Sequence, residues 1–537
     1  MKNWLKKQRN LFLMLLGVSL TAITVLIPRI GFLQWITLIP FFIGLYSYFD
    51  QTERVRYRVA YLYGFLVCYC YNLFLYSWFL NLYPLDLAGL DNAASLVVVM
   101  AGWLGLSLLQ ALPGGLILVA YAYLHNNRLF AKAPILRPFA LSALWVIWEW
   151  YHTLGWWGVP WCRLALGQTE SLTVLQSASL FGSYYVSFLI LIVNGLLTYA
   201  AMYRKRASVC AVCAVALLGG SLTYGLIRIS FLQQREQTSQ KLSVAVIQGN
   251  ISSNEKWDSD TYQRMKDVHA DLTKKAVADG AELVLMAETA LPYVLNENVS
   301  LSYYVSSLAK ECRVPIVVGA LYDDEEGNEY NALYYFDENG EMQENFYAKR
   351  HLVPFGEYVP LRTLITTLIP PLSEISMLEE DLTAGKDSAL FESKWGRLGS
   401  LICFDSIYEE LTRESVLDGA ELILLATNDS WFKDSASVYM HNAQAKLRAV
   451  ESGRWVVRAA NTGVSSILSP SGEQVVQIDA LTEGYSVASV SVLWDRTPYM
   501  VLGNLFCYLA ILFLCILLAL AAYPKMVKCL HKGRKKT

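Results

Sequence analysis

The stretch Arg397-Leu398-Gly399-Ser400-Leu401-Ile402-Cys403-Phe404-Asp405 begins as an apolar strand and ends in a cysteine followed by polar residues. A second apolar run, Leu283-Val284-Leu285-Met286-Ala287-Glu288, ends in a glutamate. Similar short runs lie on both sides of these two and alternate with stretches of helical periodicity. Strands that alternate with helices indicate an α/β fold built from layered sheets.

This pattern predicts eight strands and four helices in one region of the chain. The strands are expected at residues 242–248, 283–287, 316–322, 332–336, 397–402, 422–426, 455–460 and 464–468. The helices are expected at residues 261–279, 301–311, 408–418 and 441–452. Polar residues follow several strand ends, where α/β sheets tend to keep their sites.

Three residues of this region form a candidate chemical group. Cys403 and Glu288 end strands, and Lys349 precedes a turn. A thiol is a weak nucleophile until it loses its proton, which a carboxylate can accept. An ammonium group can stabilise the thiolate and a developing oxyanion. Residue types alone do not decide whether these three residues are catalytic, since a buried strand-end cysteine is more often a core residue.

The rest of the chain is dominated by apolar segments. Hydrophobic residues make up 54% of the 537 residues and charged residues 17%, against about 25% charged in soluble proteins. A membrane-spanning helix needs roughly 20 mostly apolar residues. Eight candidate spans are predicted, at residues 11–28, 31–49, 58–82, 94–124, 138–154, 173–202, 209–229 and 498–523.

The distribution of Lys and Arg predicts the orientation of these spans. Five basic segments fall on one side of the membrane if every span crosses once, and loop 83–93 on the other side has none. The basic segments are 2–9, 54–58, 128–137, 204–206 and 525–536. Both termini are therefore expected in the cytoplasm, with the α/β region outside.

The predicted organisation has three parts: residues 1–230 with seven spans, an extracytoplasmic domain at 231–495, and a last span with a basic tail at 496–537. The formal net charge of −2 gives no indication of nucleic acid binding. The ten cysteines show neither a disulfide framework nor zinc-ligand spacing. No metal or cofactor is predicted.

Longer motifs around the three candidate residues resemble the nitrilase, or carbon–nitrogen hydrolase, superfamily. They include Val246-Ile247-Gln248-Gly249-Asn250, Ile402-Cys403-Phe404-Asp405 and Asn428-Asp429-Ser430-Trp431-Phe432. A further motif is the run 349–360, which reads Lys-Arg-His-Leu-Val-Pro-Phe-Gly-Glu-Tyr-Val-Pro. The resemblance implies a four-layer αββα sandwich. It also implies Glu288 as general base, Lys349 as oxyanion stabiliser and Cys403 as nucleophile.

A nitrilase domain placed before the last of eight spans is similar to the apolipoprotein N-acyltransferase family. The resemblance implies transfer of a fatty acyl group from a phospholipid, through a thioester, to the α-amine of a diacylglyceryl-modified lipoprotein. The expected location is the bacterial inner membrane. Substrate-binding or supporting roles are expected for Trp161, Trp257, Asn331, Glu357, Phe404, Asp405 and Trp431. The apolar segment 361–378 is expected to be a lid or a membrane contact.

Several positions depart from the family pattern. Asp405 stands where the family usually has a glutamate, Lys433 replaces a glycine, and Met440 replaces a glutamine. These changes are expected to affect which acyl chain and head group the protein prefers, rather than the type of reaction. Glu451 and Arg454 are expected to form a structural ion pair.

Two rival functions remain open at this point. A membrane-tethered amidase or nitrilase acting on small amides would share the same three residues and the same fold. A non-catalytic membrane scaffold that kept the fold would not need them.

Overall fold

Seven apolar helical segments in the described part of the chain are long enough to cross a membrane. The computed structural model describes residues 2–85, 91–256, 259–363, 367 and 381–533. The seven segments are Gln8–Leu26, Pro28–Asp50, Tyr57–Leu75, Asn92–Asn126, Ser183–Met202, Arg204–Thr238 and Leu505–Pro524. Each matches one of the eight predicted spans, although breaks occur within some of them.

The fifth predicted span, at residues 138–154, is not among these seven segments. Helix Leu136–Tyr151 has 16 residues, about 24 Å at a rise of 1.5 Å per residue. It ends before a segment in which Gly155 adopts a positive φ and Pro160 lacks an amide N–H. The fourth predicted span is interrupted between helices Asn92–Ala111 and Gly115–Asn126, at the Pro-Gly-Gly sequence.

The chain divides into two compact units. The first unit takes in Met1–Ser77, Ala101–Ile227 and Leu502–Thr537, and contains most of the apolar helices. The second takes in Trp78–Met100 and Arg228–Val501. Residues 78–100 were predicted to belong to the membrane part but group with the α/β region.

Two sheets of six strands each form the interior of the second unit, among the residues described there. Their orders are β12-β1-β2-β3-β4-β5 and β11-β10-β9-β8-β7-β6. The strands are β1 Lys241–Gln248, β2 Leu283–Leu285, β3 Ile316–Asp323, β4 Glu329–Phe336, β5 Tyr347–Ala348, β6 Leu390–Ser393, β7 Gly396–Ile402, β8 Leu422–Thr427, β9 Val456–Ala460, β10 Ser465–Leu468, β11 Gln474–Ile478 and β12 Gly484–Ser491.

The two sheets pack face to face, with helices on the outer faces. Val246 and Leu285 of one sheet share a buried apolar cluster with Leu398 and Leu424 of the other. The outer face of the first sheet packs against helices Tyr262–Ala278 and Val299–Cys312. Helices Glu409–Asp418 and Ala436–Ser452 contact the second sheet. This is the four-layer αββα order that the resemblance implied.

Parallel pairing at the centre of each sheet places the predicted site residues. Strands β1, β2 and β3 are parallel neighbours, and so are β7, β8 and β9. Carboxyl ends of parallel strands meet at one edge of a sheet, so the segments that follow them lie together. Glu288 follows β2, Cys403 follows β7 and Asp429 follows β8.

Candidate active site

Cys403 occupies a sharp turn at the end of β7. Its φ is +48°, a left-handed conformation that costs a residue with a Cβ of the order of 1–3 kcal/mol. Its carbonyl oxygen accepts a hydrogen bond from Ser406 Oγ at 2.7 Å and lies 3.2 Å from His441 Nε2. These contacts hold the strained backbone turn, and Cys403 is half-buried at the end of the strand.

Three buried side chains, His441, Asp429 and Arg458, support the turn at Cys403. His441 Nδ1 lies 2.7 Å from Asp429 Oδ1, and Arg458 donates to Asp429 Oδ2 at 2.7 Å. Burial alone raises the pKa of Asp429, but Arg458 and His441 hold it below its ordinary value. A ring nitrogen of His441, a carboxylate oxygen of Asp429 and Sγ of Cys403 lie within 4.8 Å of one another. Because both carboxylate oxygens of Asp429 already have hydrogen-bond partners, Asp429 and Arg458 serve to orient His441.

Glu288 and Lys349 meet at the edge of the first sheet. Lys349 Nζ donates to Glu288 Oε1 at 2.9 Å and to Glu357 Oε1 at 2.7 Å. Asn331 Nδ2 also donates to Glu288 Oε1, at 2.7 Å. Glu288 Oε2 has no hydrogen-bond partner among the described residues. One carboxylate oxygen is therefore fixed, and the other is left to accept a proton.

The charges at this edge act on the thiol of Cys403. Burial raises its pKa, the Glu288 carboxylate raises it further, and the Lys349 ammonium opposes them. Burial would lower the pKa of Lys349, but Glu288, Glu357 and Cys403 raise it well above its ordinary value. The resting site thus contains a protonated thiol, a permanent cation and a carboxylate able to accept the thiol proton.

Asp405 links the cysteine turn to the segment that carries the lysine. This side chain is fully buried, and it accepts hydrogen bonds from Tyr347 Oη at 2.9 Å and from the amide N–H of His351 at 2.8 Å. The amides of Arg350 and Ile402 donate to it at 3.2 and 3.1 Å. Asp405 therefore fixes Cys403 relative to Lys349.

Two known protein families match this chain. The carbon–nitrogen hydrolase profile matches residues 243–499, and the profile of the apolipoprotein N-acyltransferase N-terminal domain matches residues 17–196. Apolipoprotein N-acyltransferase of Gloeobacter violaceus is 30% identical over 476 residues, which cover 89% of this chain and 87% of that protein.

This chain belongs to the apolipoprotein N-acyltransferase family. It is a membrane enzyme, an acyltransferase of the carbon–nitrogen hydrolase superfamily. The Pseudomonas syringae pv. tomato protein of the same name is 31% identical over 379 residues, which cover 69% of this chain and 71% of that protein. A Saccharomyces cerevisiae member of the nitrilase superfamily has a solved structure with 20% identity and a TM-score of 0.38, covering 47% of this chain and 90% of that chain.

The structure of this N-acyltransferase brings most of the predicted site residues into the second unit. Asn331 and Glu357 contact Glu288 or Lys349 directly. Phe404 is half-buried and packs edge-on against Tyr408, with ring centroids 5.5 Å apart. Trp431 lies half-buried in the turn Ser430–Phe432 after β8.

Other predicted residues lie elsewhere. Trp161 is almost fully buried in the first unit. Trp257 falls outside the described residues, and so does most of the predicted lid segment 361–378. Their roles stay predictions.

The expected ion pair between Glu451 and Arg454 is wrong. Glu451 pairs instead with Arg448, at 2.6 Å, on the same helix. That helix ends at Ser452, and Gly453 caps it with a positive φ, so Arg454 no longer follows helical spacing. Arg454 donates to the carbonyl oxygens of Ala420 and Asp495.

Several residues near the site were not singled out from the sequence. Asp429 and Arg458 belong to quoted family motifs, but nothing local indicates that they pair. Ser406 reaches the Cys403 carbonyl within one turn, a short-range contact that Ser makes readily. Lys256 was given no role: it ends the short helix Ser253–Lys256 rather than a strand, so its place beside Glu288 depends on the tertiary structure.

Proposed function

We propose that this N-acyltransferase moves a fatty acyl group from a phospholipid to the α-amine of a diacylglyceryl-modified N-terminal cysteine of a lipoprotein. The observation that carries the proposal is the grouping of Glu288, Lys349 and Cys403 in a chain of this family. Such a group suits acyl transfer through a thioester.

In the first half-reaction, Glu288 takes the thiol proton of Cys403 and the thiolate attacks an ester carbonyl of the phospholipid. The new C–S bond gives a tetrahedral oxyanion, which the Lys349 ammonium stabilises. Collapse breaks the ester C–O bond, and Glu288 returns its proton to the leaving alkoxide. A lysophospholipid departs, and a thioester remains on Cys403.

In the second half-reaction, the free α-amine of the lipoprotein attacks the thioester carbonyl. Glu288 accepts a proton from the attacking nitrogen, and an amide forms as the C–S bond breaks. The thiolate of Cys403 recovers a proton from Glu288. Because Glu357 keeps Lys349 charged throughout, the same cation serves both tetrahedral intermediates.

Membrane anchoring favours this reaction over hydrolysis of a soluble substrate. Both proposed substrates carry acyl chains and stay in the bilayer, and the apolar helices hold the enzyme there. Confinement raises the effective concentration of each reactant. The apolar residues predicted around the site, among them Trp257 and Trp431, would keep water away from the thioester.

The proposed arrangement has eight spans in the bacterial inner membrane, both termini in the cytoplasm and the catalytic domain on the extracytoplasmic side. The support is the basic segments described above. Green fluorescent protein fused after Thr537 is expected to fluoresce. Alkaline phosphatase fused after residue 240 is expected to be active. Active phosphatase at the carboxyl terminus and inactive phosphatase after residue 240 would contradict this topology.

Intact mass spectrometry tests the acyl-enzyme. After incubation with vesicles of phosphatidylethanolamine and phosphatidylglycerol, the purified enzyme is expected to gain the mass of one fatty acyl group. Neutral hydroxylamine should remove it, because hydroxylamine cleaves thioesters. Absence of the adduct together with release of ammonia from small amides would contradict the proposal and favour the amidase.

A further inference from the structure

A second buried lysine lies beside the turn that carries Glu288. Lys256 ends the short helix Ser253–Lys256, and only 2% of its surface is exposed. Its Nζ donates to the carbonyl oxygen of Glu288 at 3.0 Å and to Thr289 Oγ1 at 2.5 Å. Thr289 has a φ of +42°, so this ammonium holds a strained backbone turn.

Three titratable groups among the described residues face Lys256 from the surrounding elements. Glu288 approaches from the end of β2 and Cys403 from the end of β7, and both attract its charge. His269 approaches from helix Tyr262–Ala278, with its Nδ1 2.7 Å from the Met265 carbonyl. Burial, with Lys256 contributing, lowers the pKa of His269 to about 4, so His269 is uncharged at neutral pH.

The balance of charge shows what this lysine adds. Glu288 and Glu357 carry two negative charges, and Lys349 supplies one positive charge. With Lys256 protonated, the sum over these four side chains is zero. With the neutral thiol of Cys403 included, moving a proton from Cys403 to Glu288 leaves the sum over the five side chains unchanged. Without Lys256, the thiolate would form in a buried site that already carries a net negative charge, which low dielectric disfavours.

We infer that Lys256 is a positioning residue for acyl transfer: it holds the Glu288 turn and supplies the second positive charge against which Cys403 ionises. The inference rests on the proposed function for its role in turnover. The ionisation of Cys403, however, can be measured without lipid.

The two lysines differ in how they respond to pH. Burial lowers the pKa of Lys256 to about 8, against the opposing effects of Glu288 and Cys403. The pKa of Lys349 lies well above its ordinary value. Lys256 is therefore charged below about pH 8 and loses its charge above it, whereas Lys349 stays charged. Thioester formation is expected to fall with rising pH as Lys256 deprotonates.

The first measurement is the rate of thioester formation against pH in a single turnover, with the same phospholipid vesicles and no acceptor amine. The wild-type rate should fall near pH 8, and Lys256→Arg should move that fall above pH 10, because a guanidinium stays protonated. Lys256→Met should lower the rate about 10²-fold. Lys275→Met, at an exposed surface lysine, should match the wild type.

The second measurement is alkylation of Cys403 by iodoacetamide at pH 7, located by mass spectrometry. Lys256→Met should slow it at least tenfold, as expected from loss of an opposite charge near a thiolate. Lys256→Arg should stay within about threefold of wild type. If alkylation depends on Lys256 but no thioester ever forms, the inferred effect of Lys256 on the ionisation of Cys403 stands and the proposed function fails.

Two results would overturn the inference. One is a folded Lys256→Met variant that alkylates and acylates at wild-type rates. The other, which does not depend on how Lys256→Met folds, is a Lys256→Arg variant whose rate still falls near pH 8.

Discussion

Replacing Cys403 with alanine is expected to lower the rate of lipoprotein acylation by about 10⁴-fold or more. The thiol is the only group proposed to bond with the acyl chain, so neither half-reaction has an alternative route. The variant should also gain no acyl mass on incubation with phospholipid. Turnover can be followed by the mobility shift or mass increase of a lipoprotein acceptor.

Two matched variants make the cysteine test specific. Cys312→Ala removes the other cysteine of the second unit, on helix Val299–Cys312, and should keep full activity. Cys403→Ser should acylate very slowly and should give an ester adduct that resists neutral hydroxylamine. A Cys403→Ala protein that still carries a hydroxylamine-sensitive acyl group would rule out Cys403 as the nucleophile.

Replacing Lys349 with methionine is expected to slow thioester formation by about 10²–10³-fold, the usual cost of losing one oxyanion donor. It should also destabilise the second unit by about 3–5 kcal/mol, because Glu288 and Glu357 would lose their buried cation. Single-turnover acylation measures the first effect. Thermal unfolding of the detergent-solubilised enzyme measures the second.

A double variant separates these two effects. In Lys349→Met/Glu357→Gln, one of the two buried carboxylates is gone, so most of the lost stability should return. Acylation should stay slow, because no cation faces the oxyanion. Lys386→Met, at an exposed lysine, should change neither quantity. Recovery of activity together with stability would show that Lys349 has only a structural role.

The sequence identified the interior of the α/β region better than its borders. All eight predicted strands are present in the structure, with ends shifted by at most a few residues. The four strands that were not predicted are β5, β6, β11 and β12, and each lies at an edge of its sheet. An edge strand has one neighbour and buries less of its surface, so its apolar pattern is weak. In β11, no residue is fully buried.

Some residues of the candidate site could be named from the sequence, and others could not. Glu288 and Cys403 end apolar strands, and family motifs marked both of them together with Lys349, so residue order was enough to name them. Lys256 was given no role, because its short segment has no periodicity and its partner Glu288 lies 32 residues away. The sequence also did not indicate that Asp405 accepts hydrogen bonds from the segment around Lys349, because that segment lies more than 50 residues away.

By itself, the sequence determined the apolar segments, the interior strands and which residues are candidates for the reacting groups. These properties depend on the spacing of apolar residues and on the order of residues within short motifs, and both can be read directly from the sequence. Only the tertiary structure decided which charges face Cys403 and how its strained turn is held. Those contacts join residues far apart in the chain, and they form only when the two sheets pack in one register.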